Sequence, residues 1–464
     1  MLFSSLEFLY LFLPLTVALY FAVPKRLRNL ALLVMSLVFY GVGEPSYLVL
    51  MIVTIIADYG FGLAIARHPR RAKLLLWSAV AFNLALLVFF KYYNLLASLL
   101  PVLPTLSVTL PIGISFYTFQ ALSYVIDVWR GSGAAQRNLV SFGTYVTLFP
   151  QLIAGPIVRY ADIAEGLSNR QSTMSGAAAG VRRFCVGLAK KVLLANAAGA
   201  LFASLCSNAA SSVLGAWGTL LAYTFQIYFD FSGYSDMAIG LGLLFGFSFP
   251  ENFNYPYVAK SITEFWRRWH ITLSSWFREY VYIPLGGNRR GRARMYRNLL
   301  VTWALTGLWH GASWNFLLWG LYFFVILSLE KLFLGRLLER LPRPVRHAYA
   351  LVLILGGWLI FICDGSAGGL SAADGLAIAR AMFGFFSLPL SDGYVRYELL
   401  RHLPLILIMA VGATPLSARI FGRLSSARPR ATALLALALS VTGLLLSTAY
   451  LVSSGYNPFL YFRF

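Results

Sequence analysis

The stretch LVLMIVTIIADYGFGLAIA, residues 48–66, is a continuous apolar run that contains one charged side chain, Asp58. A helix needs roughly 20 apolar residues to cross a hydrocarbon core about 30 Å thick. Similar runs occupy residues 8–23 and 434–452. Because lipid offers no partner to unpaired backbone groups, these runs must cross as helices that form their own backbone hydrogen bonds. The sequence therefore predicts an all-α fold, a polytopic bundle of transmembrane helices.

The composition of the whole chain is that of a membrane protein. Its 464 residues are 59% hydrophobic and 12% charged, whereas soluble domains carry about 25% charged residues. Further apolar runs lie near residues 74–90, 110–128, 139–157, 181–202, 214–229, 299–329, 348–363 and 403–421. Glycine and proline blur the ends of these runs, so we expect about eleven to fourteen membrane helices, some broken or re-entrant, that enclose a tunnel. We expect a single membrane domain over residues 1–464.

The positive charge of the chain lies mostly in short loops between the apolar runs. The net charge is +21, which in a soluble protein would suggest a nucleic-acid partner. Here residues 24–28 and 68–73 are basic and residues 41–45 are not. The positive-inside rule then places the two basic loops in the cytoplasm and the N-terminus outside. We therefore predict that membrane lipid, and no nucleic acid, is the partner of this charge.

Several common kinds of catalytic site are missing from the sequence. The three cysteines, Cys185, Cys206 and Cys363, form no C-x-x-C pair and lie apart from the histidines, which predicts neither a disulfide framework nor a metal site. The sequence contains no phosphate-binding G-x-x-x-x-G-K-[ST] loop and no G-x-S-x-G nucleophile elbow. An ATPase, a serine hydrolase and a metal hydrolase are therefore not expected.

His310 is the strongest candidate for a reactive residue. Five arginines between residues 289 and 297 form a loop that should be cytoplasmic, and the chain then enters apolar sequence at Leu299. If that run is helical, it carries His310 roughly 17 Å inward, at about 1.5 Å per residue. Residues 311–313 interrupt the run, as in broken helices that line an enclosed cavity. We interpret His310 as a deep functional histidine, the alternative being a structural hydrogen bond between helices.

A second candidate lies in the segment SITEFWRRWH, which begins at Ser261. Ser261 and Glu264 fit a capping box, so we expect a helix to start here. Within such a helix Trp266, His270 and Ser274 would share one face at i, i+4 spacing. The segment is too polar to span a bilayer, which predicts an interfacial or cavity-lining helix. His270 could orient or add to the chemistry of the first histidine, or it could be an interface histidine beside aromatic anchors.

Other polar and aromatic side chains are candidates for substrate or tunnel contacts. Arg267 and Arg268 could hold the phosphates of a soluble donor, or they could pair with acids and lipid headgroups. Asp230 and Asp236 need partners, which the tryptophan–arginine segment 261–270 offers; a structural ion pair and a catalytic role are both open. The remaining candidates are Trp266, Trp269, Trp309, Tyr234 and Asn288.

A deep histidine suggests general base catalysis. Imidazole has an unperturbed pKa of roughly 6.5 and can take a proton from a hydroxyl near neutral pH. The hydroxyl oxygen would then attack an activated acyl group, and a cavity reached from both sides would let a cytoplasmic donor meet an external acceptor. Acyl transfer is thus the leading hypothesis. A transporter or flippase is the alternative, because broken helices and buried charges also mark substrate pathways.

Several motifs, in this order along the chain, resemble those of one family. They are PIGISFY (111–117), FPQLIAGP (149–156), YFDFSGYSDMAIG (228–240), the segment 261–270, LGGN (285–288) and GLWHG (307–311). They are similar to the membrane-bound O-acyltransferase family, and specifically to its bacterial branch of alginate O-acetylation membrane proteins. The resemblance runs from Met1 to the aromatic tail 456–464, nearly the whole chain.

The resemblance implies an O-acyltransferase of the bacterial inner membrane, in which His310 is the principal catalytic residue and His270 the second family histidine. In that membrane the N-terminus that the basic loops place outside would be periplasmic. Members of this branch pass an acetyl group from cytoplasmic acetyl-CoA toward an exopolysaccharide or cell-wall glycan, often through a separate periplasmic acyltransferase. A related branch transfers D-alanine from a carrier protein to teichoic acid. The resemblance thus implies acetyl-CoA or an acyl carrier thioester as donor substrate, no bound cofactor, and an acceptor polymer that the motifs do not specify.

Overall fold

The computed structural model describes residues 1–100, 102–365, 369–384, 387–455, 457 and 459–460. Across these residues every regular element is a helix, which confirms the predicted all-α fold. Contacts between Cα atoms divide the chain into two compact units. The first unit contains Met1–Gly187 and Tyr234–Glu251, and the second contains Leu188–Gly233 and Asn252–Phe464.

The first unit is built from the N-terminal helices. They are α1 (Leu13–Ala22), α2 (Arg28–Gly43), α3 (Leu48–Arg67), α4 (Ala72–Leu87), α5 (Tyr93–Leu99), α6 (Ile114–Arg130), α7 (Leu139–Thr147), α8 (Phe149–Leu152), α9 (Tyr160–Asn169) and α10 (Met174–Ala189), whose end enters the second unit. Single 3-10 turns at Pro45–Tyr47 and Pro69–Arg71 precede α3 and α4. Proline begins both turns because the first residue of a helical turn has no intrahelical use for its N–H group.

The second unit contains the longest and the most broken helices. They are α11 (Asn196–Cys206), α12 (Val213–Leu244), whose end enters the first unit, α13 (Ile262–Trp266), α14 (Ile271–Phe277), α15 (Arg292–His310), α16 (Trp314–Leu329), α17 (Gly335–Arg340), α18 (Arg343–Ile362), α19 (Ala372–Met382), α20 (Gly393–Arg401), α21 (Leu403–Gly412), α22 (Leu416–Ala427) and α23 (Pro429–Ser453). π-helical turns at Lys190–Ala195 and Glu330–Leu334 join neighbouring helices without a loop, and a third at Arg278–Tyr282 extends α14.

Seven helices of the described chain are long and apolar enough to cross a membrane. They are Lys25–Gly43, Pro45–Arg67, Pro69–Leu99, Met174–Cys206, Trp314–Arg340, Arg343–Ile362 and Pro429–Ser453, and the bent pair α21–α22 would make up to eight. The protein is therefore polytopic, as expected; seven or eight helices meet this length and composition, whereas the expected eleven to fourteen membrane helices included broken or re-entrant ones. The difference arises because several apolar runs form short helices. The run 139–157, for example, breaks at Leu148 into α7 and α8.

Aromatic rings fill the core of the first unit. Phe12 meets Phe149 edge to face, with 5.3 Å between ring centroids. Phe3 stacks on Tyr234 at 4.5 Å, and such pairs contribute about 0.5–1.5 kcal/mol beyond the burial of their area. Tyr234, a tunnel candidate from the sequence, is therefore a buried core residue of this unit.

Asp236 also lies in the first unit, where it forms an ion pair. Its Oδ1 is 2.8 Å from Nη2 of Arg183 on α10, and Arg183 also pairs with Glu251. The expected partner, the tryptophan–arginine segment, was therefore wrong for this acid. The charges meet because α10 and α12 approach closely: a Cβ atom on Gly180 would lie 2.5 Å from the carbonyl oxygen of Gly240.

Asp230 forms the corresponding ion pair of the second unit. Its Oδ1 is 2.9 Å from Nζ of Lys191, with both side chains buried, and its Oδ2 accepts a hydrogen bond of 2.9 Å from the backbone N–H of Leu460. The expected partner was wrong here as well, because the cation comes from the π-helical turn after α10. A buried carboxylate needs such partners, since an isolated buried charge costs several kcal/mol. The tail residues 456, 458 and 461–464 lie outside the described residues.

Candidate active site

His310 is the last residue of α15, a helix of 19 residues that begins in the arginine-rich loop. The chain resumes a helix only at Trp314, so the predicted break after His310 is present. The imidazole is 5% exposed, and its ring centroid lies 4.9 Å from that of Trp319 and 5.2 Å from that of Phe361. His310 is therefore enclosed by aromatic rings at the end of a broken helix.

The broken helix is held together by close backbone contact. Gly307 on α15 faces Gly320 on α16, and a Cβ atom on Gly307 would clash with the carbonyl oxygen of Phe316. A Cβ atom on Gly320 would clash in the same way with the carbonyl oxygen of Trp303. Only glycine allows two helices to approach so closely, and this contact fixes the turn that carries His310.

His270 lies at a break between two short helices. The predicted helix does begin at Ser261, whose side chain accepts a hydrogen bond from Glu264 N–H, but it ends at Trp266 and α14 starts only after His270. The shared face predicted for Trp266, His270 and Ser274 was therefore wrong. His270 adopts a φ of +44°, which costs a residue with a Cβ atom roughly 1–2 kcal/mol.

The side chain of His270 is held by Asn252. Its Nδ1 lies 3.0 Å from Oδ1 of Asn252, and the hydroxyl of Thr272 donates to the same oxygen at 2.9 Å. Because that oxygen accepts, Nδ1 carries the hydrogen and Nε2 carries the lone pair of the neutral ring. Burial, and in second place the neighbouring His310, holds the pKa of His270 well below its usual value. His270 is therefore a neutral imidazole with a fixed orientation.

Trp309 joins the two histidines. Its ring centroid lies 5.9 Å from that of His270 and 5.0 Å from that of His310. Phe231 covers the other side of His270, at 4.7 Å between centroids. The structure thus brings together the two histidines that the sequence singled out, each in ring contact with the buried indole of Trp309.

A cleft of about 240 Å³ lies beside this aromatic site in the second unit. Its lining residues are Trp266, Leu273, Ser274, Phe277, Arg278, Tyr282, Asn288, Leu299, Thr302, Trp303, Thr306 and Lys331. Leu299, Thr302, Trp303 and Thr306 follow one another along a single face of α15, and His310 continues that face one turn after Thr306. The cleft therefore runs along the helix face that ends at His310.

A second cavity, of about 450 Å³, adjoins the cleft and is strongly basic. It shares Arg278, Tyr282 and Asn288 with the cleft and adds Arg289 and Arg290. We call this second cavity the arginine mouth. Asn288, a candidate from the sequence, thus lies where the two cavities meet. The arginines of this loop had been interpreted only as determinants of topology, because sequence alone did not show that they line a cavity.

The arginines of the tryptophan–arginine segment lie elsewhere. Arg268 pairs with Glu264 at 2.9 Å and donates to the carbonyl oxygen of Asn254 at 3.0 Å, so it holds its own loop together. Arg267 is exposed. Trp269 packs against Trp358 at 4.8 Å between centroids, as a core residue. Of this segment, Trp266 lines the cleft and His270 contacts Trp309.

Glu330 was missed by the sequence analysis, although it is a lone acid at the end of an apolar run. Its carboxylate accepts hydrogen bonds from the backbone N–H groups of Ile262 and Thr263, at 2.7 and 2.8 Å, from the Thr263 hydroxyl and from the Tyr349 hydroxyl. A carboxylate at a helix N-terminus stabilises the free N–H groups of the first turn. Glu330 therefore fixes α13, and with it Trp266, to the end of α16.

Comparison with known proteins places this architecture in a family. The family model described as MBOAT, membrane-bound O-acyltransferase family, matches residues 134–371. The chain is 44% identical over 409 residues to the probable alginate O-acetylase AlgI of Azotobacter vinelandii, which covers 84% of this chain and 80% of that protein. It is 37% identical over 372 residues to the peptidoglycan O-acetyltransferase of Helicobacter pylori, covering 71% and 70% of the two chains.

More distant similarity extends to another kind of transferase. The teichoic acid D-alanyltransferase of Bacillus subtilis is 28% identical over 235 residues, which cover 48% of this chain and 59% of that protein. The segment matched by the family model contains both histidines, the cleft and the arginine mouth. The chain therefore belongs to the membrane-bound O-acyltransferase family and is an O-acyltransferase.

Proposed function

We propose that this enzyme moves an acyl group, acetyl in particular, from a cytoplasmic thioester across the membrane toward hydroxyls of an exported polysaccharide or cell-wall glycan, with His310 as the general base. The observation that carries this proposal is the course of the cleft: it begins at the arginine mouth and follows the face of α15 that ends at His310. From Leu299 to His310 that face is about 16 Å long, at about 1.5 Å per residue.

The arginine mouth suits the phosphates of the donor. Arg278, Arg289 and Arg290 present guanidinium groups, which bind phosphate through paired hydrogen bonds. The cleft is lined mostly by aromatic, leucine and threonine side chains, with Arg278 and Lys331 among its lining residues, and the uncharged part of this lining suits an uncharged thioester arm. Acetyl-CoA combines both features. An acyl carrier protein, whose thioester arm also bears a phosphate, is the alternative donor.

The proposed chemistry moves one proton and one acyl group. His310 takes the proton from the acceptor hydroxyl as its oxygen attacks the thioester carbonyl carbon. The tetrahedral intermediate then collapses, the carbon–sulfur bond breaks, and the imidazolium returns the proton to the thiolate. An ester and a free thiol result. His270 acts as a positioning residue, because its neutral ring, fixed by Asn252, contacts Trp309, which in turn contacts His310.

The acceptor is proposed from the relatives. Two of them are named for O-acetylation of alginate or peptidoglycan, so an exported glycan, reached directly or through a periplasmic acyltransferase partner, is the acceptor we expect. The D-alanyltransferase relative supports a second candidate, aminoacyl transfer from a carrier protein. The location we propose is the bacterial inner membrane with the N-terminus in the periplasm, since basic loops prefer the cytoplasmic side.

The test is ester analysis of the exported glycans from cells that carry the wild type, His310→Ala, or no gene. We expect the ester to disappear in both altered strains at equal protein level. His68→Ala is the matched control, because His68 is exposed in a loop, and this variant should keep the wild-type ester content. Unchanged ester in the His310→Ala strain would contradict the proposal and would favour a transporter or flippase.

A further inference from the structure

Helix α22 presents two stripes of side chains that stay substantially exposed in the described chain. None of its 12 residues, all of which the structure describes, is buried. Leu416, Ile420 and Leu424 recur every four residues and are 49%, 50% and 41% exposed; we call them the apolar stripe. Arg419 and Arg423 repeat at the same spacing beside it and are also exposed. Such a pattern is typical of a helix that lies at a boundary between an apolar and a polar medium.

The direction of α22 suits the surface of a bilayer. α21 and α22 are bent by 63° with respect to each other. If α21 lies along the bilayer normal, the 12 residues of α22 extend about 18 Å along their own axis but advance only about 8 Å along the normal. Amphipathic helices that lie in the membrane interface are buried to about 5–10 Å. With α21 in that orientation, α22 has the tilt of an interfacial helix.

The turn after α22 supports the same location. Arg428 and Arg430 flank the start of α23, an apolar helix of 25 residues that is long enough to span the membrane. Charged side chains at the start of a span mark the level of the lipid headgroups. Since α22 ends at this turn, its C-terminal end must lie at that level too.

We propose that α22 lies in the interface of the bilayer and that Arg419, Arg423, Arg428 and Arg430 bind the phosphate groups of anionic phospholipids. The apolar stripe inserts among the acyl chains, while the arginine side chains extend outward and donate hydrogen bonds to the headgroups. The positive-inside rule assigns this surface to the cytoplasmic leaflet, whose anionic lipids attract such clusters. The proposal is independent of the acyl-transfer reaction.

Charge and apolarity together favour lipid over a docked acidic protein. A soluble protein bound to the four arginines would leave the apolar stripe uncovered, whereas α23, which is long enough to span the membrane, starts directly after α22. A bilayer covers both stripes at once. Binding of an acidic protein instead of lipid is one of the outcomes that the test below can distinguish.

The first test measures depth on opposite sides of α22. In full-length protein with Cys185, Cys206 and Cys363 replaced by alanine, spin labels are placed by Ile420→Cys and, as the matched control on the other side, Ser425→Cys. The protein is studied in nanodiscs of phosphatidylethanolamine and phosphatidylglycerol. We expect the first label to be accessible to oxygen and protected from a polar nickel reagent, and the second label to show the reverse.

Two outcomes would overturn the proposal. If both labels are protected from the nickel reagent, α22 is the second half of a bent span. If both labels are open to it, the helix is free in water and available to a soluble partner. Neither result requires a measurement of enzyme activity. The location of α22 can therefore be tested whether or not the protein transfers acyl groups.

The second test measures lipid selectivity. Phosphatidylglycerol should raise the Tm of the wild type relative to phosphatidylcholine, and Arg419→Gln/Arg423→Gln should lose at least half of that rise. Each arginine removed should lower the affinity for anionic lipid roughly fivefold. The control Arg380→Gln/Arg396→Gln removes the same charge from exposed positions of α19 and α20 and should keep the full rise. A double variant of α22 that responds like the wild type would contradict lipid binding by the arginines.

Discussion

The two histidine-bearing segments of the second unit both end at a break in a helix, but they hold their histidines differently. His310 closes a long helix whose face lines the cleft, and its neighbours are aromatic rings. His270 lies between two short helices, in a left-handed backbone conformation, with its Nδ1 fixed by Asn252. His310 thus ends the face of α15 that lines the cleft, whereas His270 is fixed by Asn252 between α13 and α14.

Removal of His310 should have the largest effect on the enzyme. His310→Ala should lower kcat for acyl transfer by about 10²–10⁴, because general base catalysis contributes about that factor. The measurement is steady-state transfer from acetyl-CoA by the protein in nanodiscs. A fall of less than tenfold, with the variant folded, would mean that the histidine on the cleft face is not the base.

Variants of His270 should separate positioning from catalysis. His270→Ala should lower the rate by about 10², the cost of a misplaced group in a site. His270→Asn should recover most of that loss, because asparagine tolerates a positive φ and can donate a hydrogen bond to Asn252. The same assay measures both variants. An asparagine variant as slow as the alanine variant would show that the imidazole itself reacts.

Substitutions in the arginine mouth should weaken binding of the donor without changing the rate of the chemical step. Arg289→Gln/Arg290→Gln should raise KM for acetyl-CoA about tenfold at low salt with kcat unchanged, because lost uniform binding appears in KM. The increase should shrink at high ionic strength. Arg292→Gln/Arg294→Gln removes the same charge from neighbouring exposed residues that do not line the mouth and should leave KM near the wild-type value. Equal effects of the two double variants would show that only net charge matters.

A substitution of Glu330 should show how much its hydrogen bonds to the first turn of α13 stabilise the protein. Glu330→Gln should lower the free energy of unfolding by about 1–3 kcal/mol, because an amide has one acceptor oxygen and leaves a buried donor unsatisfied. Thermal unfolding measures the loss. Glu339→Gln, on α17, is the control for charge. If Glu330→Gln unfolds like the wild type, the cap on α13 is not needed to hold this segment.

The smallest predicted effect is on stability against pH. The pKa of His270 is held well below its usual value, so the unfolded chain takes up a proton at this position that the folded chain does not. The stabilising contribution is therefore present above the unfolded pKa of about 6.5 and is lost as the pH falls, by at most about 1.4 kcal/mol per pH unit. Denaturant unfolding between pH 7 and 5 should show a shallower slope for His270→Asn. Equal slopes would contradict a neutral, buried His270.

The sequence was most informative where one residue decides the local structure. The interruption after His310 was visible because Gly311 and Ser313 end an apolar run, and the start of α13 was visible in Ser261. The break at His270 was not visible, because Asn252, which holds its side chain, lies outside the segment. Periodicity alone therefore predicted one continuous helix where the structure has two.

The ion-pair partners of the buried acids also could not be predicted from the sequence. Asp230 and Asp236 lie in one helix, yet each is neutralised by a cation from the region of α10, Lys191 and Arg183. These pairs depend on how helices pack, which a single sequence does not show. Glu330 could have been found by the rule that flagged the other acids, since it too ends an apolar run.

We propose that the donor reaches His310 through the cleft and that His310 then removes the acceptor's proton. These two steps are separated by measuring donor binding and acyl transfer on the same preparation of His310→Ala in nanodiscs. We predict that acetyl-CoA binds with the wild-type Kd while transfer falls by at least about 10². Transfer at the wild-type rate would contradict this mechanism, and so would a folded variant that has lost the binding of acetyl-CoA.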